Sequence, residues 1–274
     1  MKRSKNHPNK LFIKRRRLPV KYIAVSIIIL LAISLIMGYI WKVLKTSDYF
    51  RVKEIVLKEP DISGLSYLKG KNIFSIDLKS ESRDIIEVYP NYKKIRLVRV
   101  LPDRIFADFI KRNPVAFVKL YRYFALDEDG VLFYAPQHPE EVELPVILGL
   151  ERKIFSPKPG RSYNNKELML ALSIVNESRK NRILKDYRIK RIDVGNIANT
   201  SILVLFPEEE ISDGLKKEKI RAPEGLEVKF GEDNIKEKIS ILAGLIMQGR
   251  SELANIKYID LRFREPAIKL KNAK

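Results

Sequence analysis

The longest apolar stretch of the chain lies near its start, where residues 22–41 contain no charged side chain. Twenty helical residues span about 30 Å, which is the thickness of the hydrocarbon core of a bilayer. Eleven of the twenty are Ile, Leu or Val, and together they favour insertion by about 3–6 kcal/mol. Tyr22, Tyr39 and Trp41 place aromatic rings near the two interfaces. The pattern therefore predicts a transmembrane helix over residues 22–41.

Two other kinds of segment can share this composition. The first is a core helix of a soluble protein, but helices of soluble proteins keep a polar face, which residues 22–41 lack. A cleavable signal peptide has a shorter apolar region that is followed by a small-x-small cleavage site. Here the apolar stretch runs directly into Lys42-Val43-Leu44-Lys45 without such a site. We therefore expect an uncleaved anchor.

The hydrophobic and polar positions after the anchor predict a small α+β unit of about sixty residues. Its expected elements are a strand over residues 50–57, a helical turn around Leu65–Leu68, a helix over 78–89 that Pro90 ends, and strands over 92–100 and 104–111. The apolar members of that helix, Leu78, Ile85, Ile86 and Val88, are expected to face a sheet. Leu101-Pro102-Asp103 is typical of a turn between the last two strands.

The remainder of the chain is richer in β-type patterns and carries two amphipathic helices. The expected helices cover residues 166–180 and 235–247, and the expected strands cover 116–120, 123–126, 131–134, 189–194, 202–206, 226–230, 257–263 and 267–270. The apolar segment 144–149 is expected to pack under this sheet. Asp127-Glu128-Asp129-Gly130 predicts a hairpin turn in which Gly130 adopts positive φ.

The charge of the chain is concentrated at its start. The net charge is +19, and residues 1–21 hold nine basic side chains and no acidic one. Because positively charged flanks stay in the cytoplasm, we expect an N-terminal tail inside the cell and an exported remainder. The tail is expected to contact anionic lipid of the inner leaflet. A nucleic-acid-binding arm has a similar composition, but its position so close to the membrane favours lipid as the partner and no nucleic acid.

The sequence contains no enzyme signature that we recognise. There is no cysteine, which excludes a thiolate nucleophile and a cysteine metal site. Of the two histidines, His7 lies in the tail expected to be cytoplasmic and His138 in a Pro-rich loop, so the one exported histidine cannot form a two-histidine metal pair. The Asp-x-Asp-Gly string lacks the further ligands of a calcium loop, and Glu208-Glu209-Glu210 is typical of a solvated loop. We expect a binding or scaffolding protein without a cofactor or metal.

Seven stretches, taken in order, resemble the FtsQ/DivIB family of bacterial cell-division proteins. They are Phe50-x-Val52-x-x-Ile55, Gly70-x-Asn72-Ile73-Phe74-x-Ile76-Asp77, Arg99-x-x-Pro102-Asp103-x-Ile105, Arg112-Asn113-Pro114-Val115-Ala116, Leu126-Asp127-x-Asp129-Gly130-Val131-x-Phe133, Leu144-Pro145-x-Ile147-x-Gly149 and Ile259-Asp260-Leu261-Arg262-Phe263. The layout of a short tail, one span and two exported domains also resembles the family.

The chain departs from the family pattern in three places. Lys58-Glu59-Pro60-Asp61 replaces the Gly-Asn turn that is usual after the first strand. The long C-terminal tail of many Gram-positive members is missing from this sequence. Pro266 interrupts the last β segment, where it removes one ladder donor.

The resemblance implies an α+β fold with a cytoplasmic tail at residues 1–21, a transmembrane helix at 22–41, a POTRA domain at 48–116 and an FtsQ-type mixed β-sheet domain with two helices at 117–271. It implies a single-pass protein of the cytoplasmic (inner) membrane at the division septum, with its N-terminus in the cytoplasm. Its role would be to recruit and organise other division proteins, without catalysis of its own.

The resemblance also implies partners and the residues that meet them. FtsB-like and FtsL-like proteins would bind by β-strand addition at the C-terminal edge strand. Carried over by position, Phe263, Glu265 and Ala267 would point toward the partner, and Arg262 would pair with a partner acid. A second interpretation of Phe263 is an ordinary core aromatic. The POTRA part, represented by Phe50, Val52, Asn72 and Phe74, resembles the region needed for recruitment to the division site.

Two other functions remain open from the sequence. One is a POTRA-bearing component of envelope assembly or secretion, which requires a β-barrel or several POTRA units. The other is an exported wall-binding or wall-modifying protein whose basic domain holds anionic polymers. A midcell position of the protein would favour division over both.

Overall fold

The computed structural model describes residues 20–58, 64–137, 141–206, 225–249 and 253–271. The expectations for the basic tail before residue 20, for His138 and for the acidic run 208–210 lie outside these residues. The chain divides into two units. The first unit contains the described residues up to Leu78 together with Val98–Phe106, and the second contains Lys79–Leu97 and the described residues from Ala107 onward.

Helix α1 (Val20–Thr46) contains the predicted span and continues one turn beyond it. Its apolar part has a mean hydropathy of 2.7. Within the described residues it is the one helix that is long and apolar enough to cross a membrane. Its side chains are almost all exposed, and the described residues bury none of its most apolar window. Such a surface needs lipid to cover it, so α1 fits a single membrane pass.

The first strand is shorter than the sequence pattern predicts. Residues Asp48–Phe50 form a 3-10 turn, and the side-chain oxygen of Ser47 accepts a hydrogen bond from the Tyr49 amide at 3.3 Å. Strand β1 therefore begins at Glu54 and covers Glu54–Leu57. The prediction of a strand from residue 50 was wrong because the capped turn bends the chain first. The helical turn predicted near Leu65 is confirmed as a 3-10 turn at Ser66–Leu68.

Helix α2 (Leu78–Val88) and strands β2 (Tyr92–Val100) and β3 (Arg104–Lys111) occupy the predicted positions. The strands of the small sheet follow the order β1-β3-β2. Ile85 of α2 is buried, as expected, but Val88 is 69% exposed. Val88 was wrongly assigned to the inner face because it lies at the margin of the apolar stripe, in the last turn before Pro90.

The second unit contains a nine-stranded mixed sheet in the order β12-β11-β10-β9-β8-β7-β4-β5-β6. Most neighbouring strands are antiparallel, but β4 and β7, β7 and β8, and β10 and β11 are parallel. The strands are β4 (Ala116–Lys119), β5 (Tyr123–Leu126), β6 (Leu132–Tyr134), β7 (Val146–Leu148), β8 (Arg188–Asp193), β9 (Ser201–Leu205), β10 (Leu226–Lys229), β11 (Ile256–Asp260) and β12 (Ala267–Leu270).

Two helices connect the parallel strands β7 to β8 and β10 to β11, as parallel neighbours require. They are α3 (Lys166–Lys180) and α4 (Ile235–Gln248), and both match the predicted positions closely. Asn165 caps α3 by accepting a hydrogen bond from the Leu168 amide at 3.0 Å. Apolar side chains of both helices join those of the sheet in one core, which includes Ile174, Leu242 and Ile259. The fold class predicted from the sequence is confirmed.

The apolar segment around Ile147 does not pack under the sheet as expected. It forms β7, which lies inside the sheet between β4 and β8. A strand that is paired on both sides and covered on both faces has a continuous apolar sequence. Such a sequence lacks the alternation of apolar and polar residues that identifies a strand.

Gly149 ends β7 in a conformation that other residues rarely adopt. Its φ is +87°, and a Cβ atom at this position would lie 2.2 Å from the backbone nitrogen of Gly195. The close approach allows the Val194 amide to donate a hydrogen bond to the Leu148 carbonyl at 3.1 Å. The glycine of the resemblance segment 144–149 therefore allows the backbone segments that follow β7 and β8 to approach each other closely.

A buried ion pair joins the start of the large sheet to its first hairpin. The Arg112 guanidinium donates to a carboxylate oxygen of Asp127 at 2.5 Å, and their side chains are 10% and 2% exposed. The other carboxylate oxygen accepts the amides of Asp129 and Val131 at 3.0 and 2.9 Å, which fixes the turn. Gly130 has φ +75°, so the predicted hairpin turn is confirmed. Arg112 also donates to the Pro90 carbonyl at 3.1 Å.

Replacing Gly149 is expected to destabilise the protein far more than replacing a glycine in an open position. In Gly149→Ala the new methyl group meets backbone atoms that cannot move aside, so we expect a loss of about 2–4 kcal/mol. Gly244→Ala in α4 is the control, because nothing lies within 4 Å of its Cβ position. That variant should gain up to about 1 kcal/mol. Urea unfolding of the detergent-solubilised chain, followed by circular dichroism, measures both; equal effects would contradict this explanation.

Removing one partner of the buried ion pair is expected to cost about 3–5 kcal/mol, because Asp127→Ala leaves the Arg112 charge buried without its counter-ion. Asp129→Ala is the matched control in the same turn. It breaks a contact with Lys93 between exposed side chains, which stabilises by less than about 1 kcal/mol. The same unfolding measurement applies, and a loss for Asp127→Ala as small as that for Asp129→Ala would refute the structural role of the pair.

Candidate partner-binding edge of the large sheet

The outermost strand at one end of the large sheet, β12, has one described neighbour. It pairs antiparallel with β11, so that Ile268 lies opposite Ile259 and Ala267 lies opposite Asp260. All four of its residues are exposed. A strand carries hydrogen-bonding groups on both sides, and no other described strand pairs with the outer side of β12. That side can offer its amides and carbonyls to another chain.

The opposite end of the sheet is closed by the chain itself. The Leu132 amide of β6 donates to the Arg161 carbonyl at 3.1 Å, and the Gly160 amide donates to the Leu132 carbonyl at 2.7 Å. Val131 and Ser162 form a further bridge. The two ends of the sheet therefore differ: one is capped by residues 160–163, whereas no described residue pairs with the outer side of β12.

An apolar strip continues from the core onto β12. Directly opposed residues of an antiparallel pair lie on the same face, so Ile268 and Leu270 share the face of Ile259 and Ile256. Ile259 and Ile256 are buried in the core with the helices, whereas Ile268 and Leu270 are 46% and 48% exposed. A partner strand beside β12 would extend both the backbone ladder and this apolar face.

The connection between β11 and β12 is held by a charged contact. Arg262 donates from Nε and Nη2 to the two carboxylate oxygens of Asp260 at 2.9 and 2.6 Å. Its Nη1 donates to the side-chain oxygen of Asn199, and its backbone amide donates to Asp260 at 3.1 Å. The hydrogen bond from Arg262 lowers the pKa of the Asp260 carboxyl, and burial of Asp260 opposes this effect. The ion pair fixes the backbone where the chain leaves β11.

The predicted partner-binding residues all lie at or near this edge, although not on one strand. The predicted strand 257–263 instead ends at Asp260, so Phe263 and Glu265 lie in the connection that leads to β12. The strand stops there because Arg262 turns back to bond Asp260. Phe263 is 65% exposed, which excludes the core interpretation. Ala267 is the first residue of β12.

Arg262 is already engaged with Asp260 and Asn199, so a partner acid would have to share it. A guanidinium carries five N–H donors, which leaves room for a further acceptor, and the Arg262 side chain is 30% exposed. Its pairing with a partner acid stays a prediction.

The residues named for recruitment lie in the first unit and have different surroundings. Val52 is 1% exposed and is part of the core, so it cannot itself touch a partner. Phe50 and Phe74 stack edge to face with centroids 5.1 Å apart. Asn72 bonds the end of α1 through its side chain. The structure brings these residues together in the first unit. In the sequence they are far from β12.

Sequence reasoning missed Ile268, Leu270 and Asn199. The alternation of Ala267-Ile268-Lys269-Leu270 contained the signal for the first two, because alternate apolar residues mark one face of a strand. Asn199 could not be found from the sequence, since its contact with Arg262 joins residues 63 positions apart. Across the described ranges, no group of three or more His, Asp or Glu side chains is arranged to hold a metal ion.

Comparison with known proteins gives consistent matches. The family model "Cell division protein FtsQ/DivIB, C-terminal" matches residues 116–262, which end just before β12. The chain is 25% identical to "Cell division protein FtsQ" of Syntrophotalea carbinolica, over 80% of this chain and 73% of that protein. It is 22% identical to "Cell division protein FtsQ" of Geotalea daltonii, over 84% of this chain and 80% of that protein.

The matched region begins with the first strand of the nine-stranded sheet and includes both of its helices. It covers more than half of the chain, and the matches to the two relatives cover 80% and 84% of it. The chain belongs to the FtsQ/DivIB family of cell-division proteins.

Proposed function

We propose that this protein is a non-enzymatic scaffold of the division machinery that binds partner proteins by adding a strand to β12. The observation that carries the proposal is the open backbone edge of β12 at one end of a sheet whose other end is capped. FtsB-like and FtsL-like division proteins are the proposed partners, as family membership suggests. Because the family match ends at Arg262, the role of β12 itself rests on its geometry.

The proposed topology follows from α1 and the flanking charges. Residues 1–21 would lie in the cytoplasm and residues from 42 onward would be exported, since nine basic side chains precede the span. The cytoplasmic membrane at the division septum is the proposed location. The exported part would consist of a POTRA domain at 48–116 and a β domain at 117–271. The basic tail would contact anionic lipid and set the topology.

Three features of the edge suit a segment of another protein. The unpaired backbone of β12 supplies ladder hydrogen bonds, which are independent of side chains. Ile268 and Leu270 supply an apolar face that gives selectivity. Phe263 and Arg262 lie beside the strand, and aromatic and arginine side chains are the commonest anchors of protein interfaces.

An acid in place of Phe263 is expected to weaken binding of the partner pair at least about tenfold, because it removes an aromatic anchor and repels acidic partner groups. Phe155→Asp is the matched control, since Phe155 is another exposed phenylalanine of the same unit, 78% exposed against 65%. Co-purification and binding titration of the full chain with the partner pair from its own host measure the effect. Equal affinity of the two variants, both folded by circular dichroism, would contradict the role of Phe263.

Strand addition makes a second prediction at the strand itself. Ile268→Asp should weaken partner binding at least about tenfold, because it places a charge in the apolar face that the partner would cover. Val98→Asp is the control, since Val98 is similarly exposed on β2 of the small sheet, 50% against 46%.

Light scattering decides between two occupants of the edge. A chain that is monomeric with and without Ile268→Asp agrees with a different protein as the occupant. A dimer that Ile268→Asp dissociates would show that a second copy of the chain occupies β12, and would overturn the proposal.

A further inference from the structure

The end of α1 fixes where the first unit meets the bilayer. The uncharged part of the helix ends at Trp41, and this places the outer limit of the hydrocarbon core near that residue. The headgroup layer continues for about 5–8 Å beyond the core. Leu44 lies three residues past Trp41, or about 4.5 Å along the axis. The last turn of α1 is therefore inside the headgroup layer whenever the helix spans the membrane.

Asn72 holds a remote part of the chain at the same depth. Its Nδ2 donates to the carbonyls of Leu44 and Ser47, at 2.9 and 3.1 Å. These carbonyls lie at the end of the helix, where intrahelical donors are missing. The Asn72 side-chain oxygen accepts the Phe74 amide at 2.9 Å, which fixes the loop around it. Residues near 72 are thus bound to the helix at headgroup level, although they lie 28 positions further along the chain.

Aromatic rings pack at the same level. The ring of Phe74 lies 6.1 Å from that of Trp41 and 5.1 Å from that of Phe50, measured between centroids. Tyr49 stacks on Phe50 at 5.2 Å and is itself 65% exposed. Tryptophan and tyrosine concentrate at membrane interfaces because their rings are apolar while their polar atoms remain hydrated. This cluster therefore suits the boundary between hydrocarbon and headgroups.

The same surface carries an excess of positive charge. Its two segments, residues 42–51 and 67–74, contain five basic residues and one acidic residue. The acid, Asp48, is paired with Arg51 at 2.8 Å. The remaining cations, Lys42, Lys45, Lys69 and Lys71, are exposed. Lys45 lies 5.3 Å from the Trp41 ring and Lys71 lies 4.9 Å from the Tyr67 ring. Lysines beside interfacial aromatic rings match the phosphate groups of lipids.

We propose that residues 42–51 and 67–74 form a lipid-binding surface that holds the first unit against the outer face of the membrane. Its partner is the anionic phospholipid headgroup of the bilayer that α1 spans. The inference rests on the proposed membrane topology and goes beyond it, because a single span alone leaves an attached domain free to lift away. With this surface the first unit stays against the membrane.

The absence of cysteine from the sequence makes a depth measurement direct. We would label Tyr67→Cys in the full chain with a fluorophore and reconstitute it in vesicles of equal parts phosphatidylcholine and phosphatidylglycerol, with a spin-label quencher on the headgroups. Tyr121→Cys is the matched control, since Tyr121 is also an exposed tyrosine with a cation about 5.5 Å from its ring. We expect the label at position 67 to be quenched at least about twofold more than the label at position 121.

Charge reversal separates lipid binding from mere proximity. Lys69→Glu combined with Lys71→Glu should lower quenching at position 67, because each basic residue near an anionic surface adds attraction. The contacts of Asn72 and Phe74 with α1 remain in this variant. Lys190→Glu combined with Arg191→Glu changes the same net charge in the second unit and should leave the quenching unchanged. High salt, or vesicles of pure phosphatidylcholine, should lower the quenching at position 67 as the Lys69→Glu and Lys71→Glu double variant does. Quenching at position 67 that equals that at position 121, or that resists charge reversal, would overturn the proposal.

A third label distinguishes this failure from failure of the topology. Leu31→Cys lies at the middle of the uncharged stretch, so its label should be quenched by spin labels on the lipid chain ends. Quenching at 31 without quenching at 67 would refute the lipid-binding surface alone and leave the partner-binding edge untouched. A label at 31 that stays unquenched would refute both the spanning helix and the surface that depends on it.

Discussion

The hydrogen-bonding need of strand backbones governs the architecture of the large unit. Each strand of the sheet has two sides that require partners, and the chain satisfies all but one within the described sheet. Helices α3 and α4 make two of the three parallel pairings possible by carrying the chain back across the sheet. The segment 160–163 accepts and donates hydrogen bonds at the outer side of β6. What remains is the outer side of β12, and water or another protein must satisfy it.

The open edge at β12 also has a fixed local structure. The contact of Arg262 with Asp260 and Asn199 ends β11 and directs the connection, and this presents Phe263 beside the open strand. Because the partners of Arg262 lie in the same unit, the arrangement is formed before any protein binds. A preformed edge binds at lower entropic cost than one that must first be ordered. In the first unit, Asn72 and Phe74 have a comparable role at the end of α1, where they join the helix to the chain that follows it.

Much of this fold could be predicted from the sequence, for reasons visible in particular segments. Helices α3 and α4 have a clear apolar stripe and a regular spacing, and β2 and β3 are bounded by a turn with Pro102. The prediction for the segment 144–149 was wrong because a strand buried between two others has no alternation of apolar and polar residues. The prediction of a strand from residue 50 was wrong because the Ser47 side chain caps a turn there. Such a cap depends on local geometry that the hydrophobic pattern does not contain. At the candidate site, Arg262 and Phe263 were found through the family resemblance, whereas Asn199 and the exposure of Ile268 depend on tertiary contacts.

The most direct test of strand addition is amide hydrogen exchange of residues 267–270 in the full chain, alone and with the proposed partner pair bound. If a partner strand joins β12, the amides on its outer side acquire acceptors, and their exchange slows at least about tenfold. Slowed exchange confined to these residues and to the connection before them is the result that we predict. Unchanged exchange across β12 while the partners remain bound would show that they dock elsewhere, and would contradict the account.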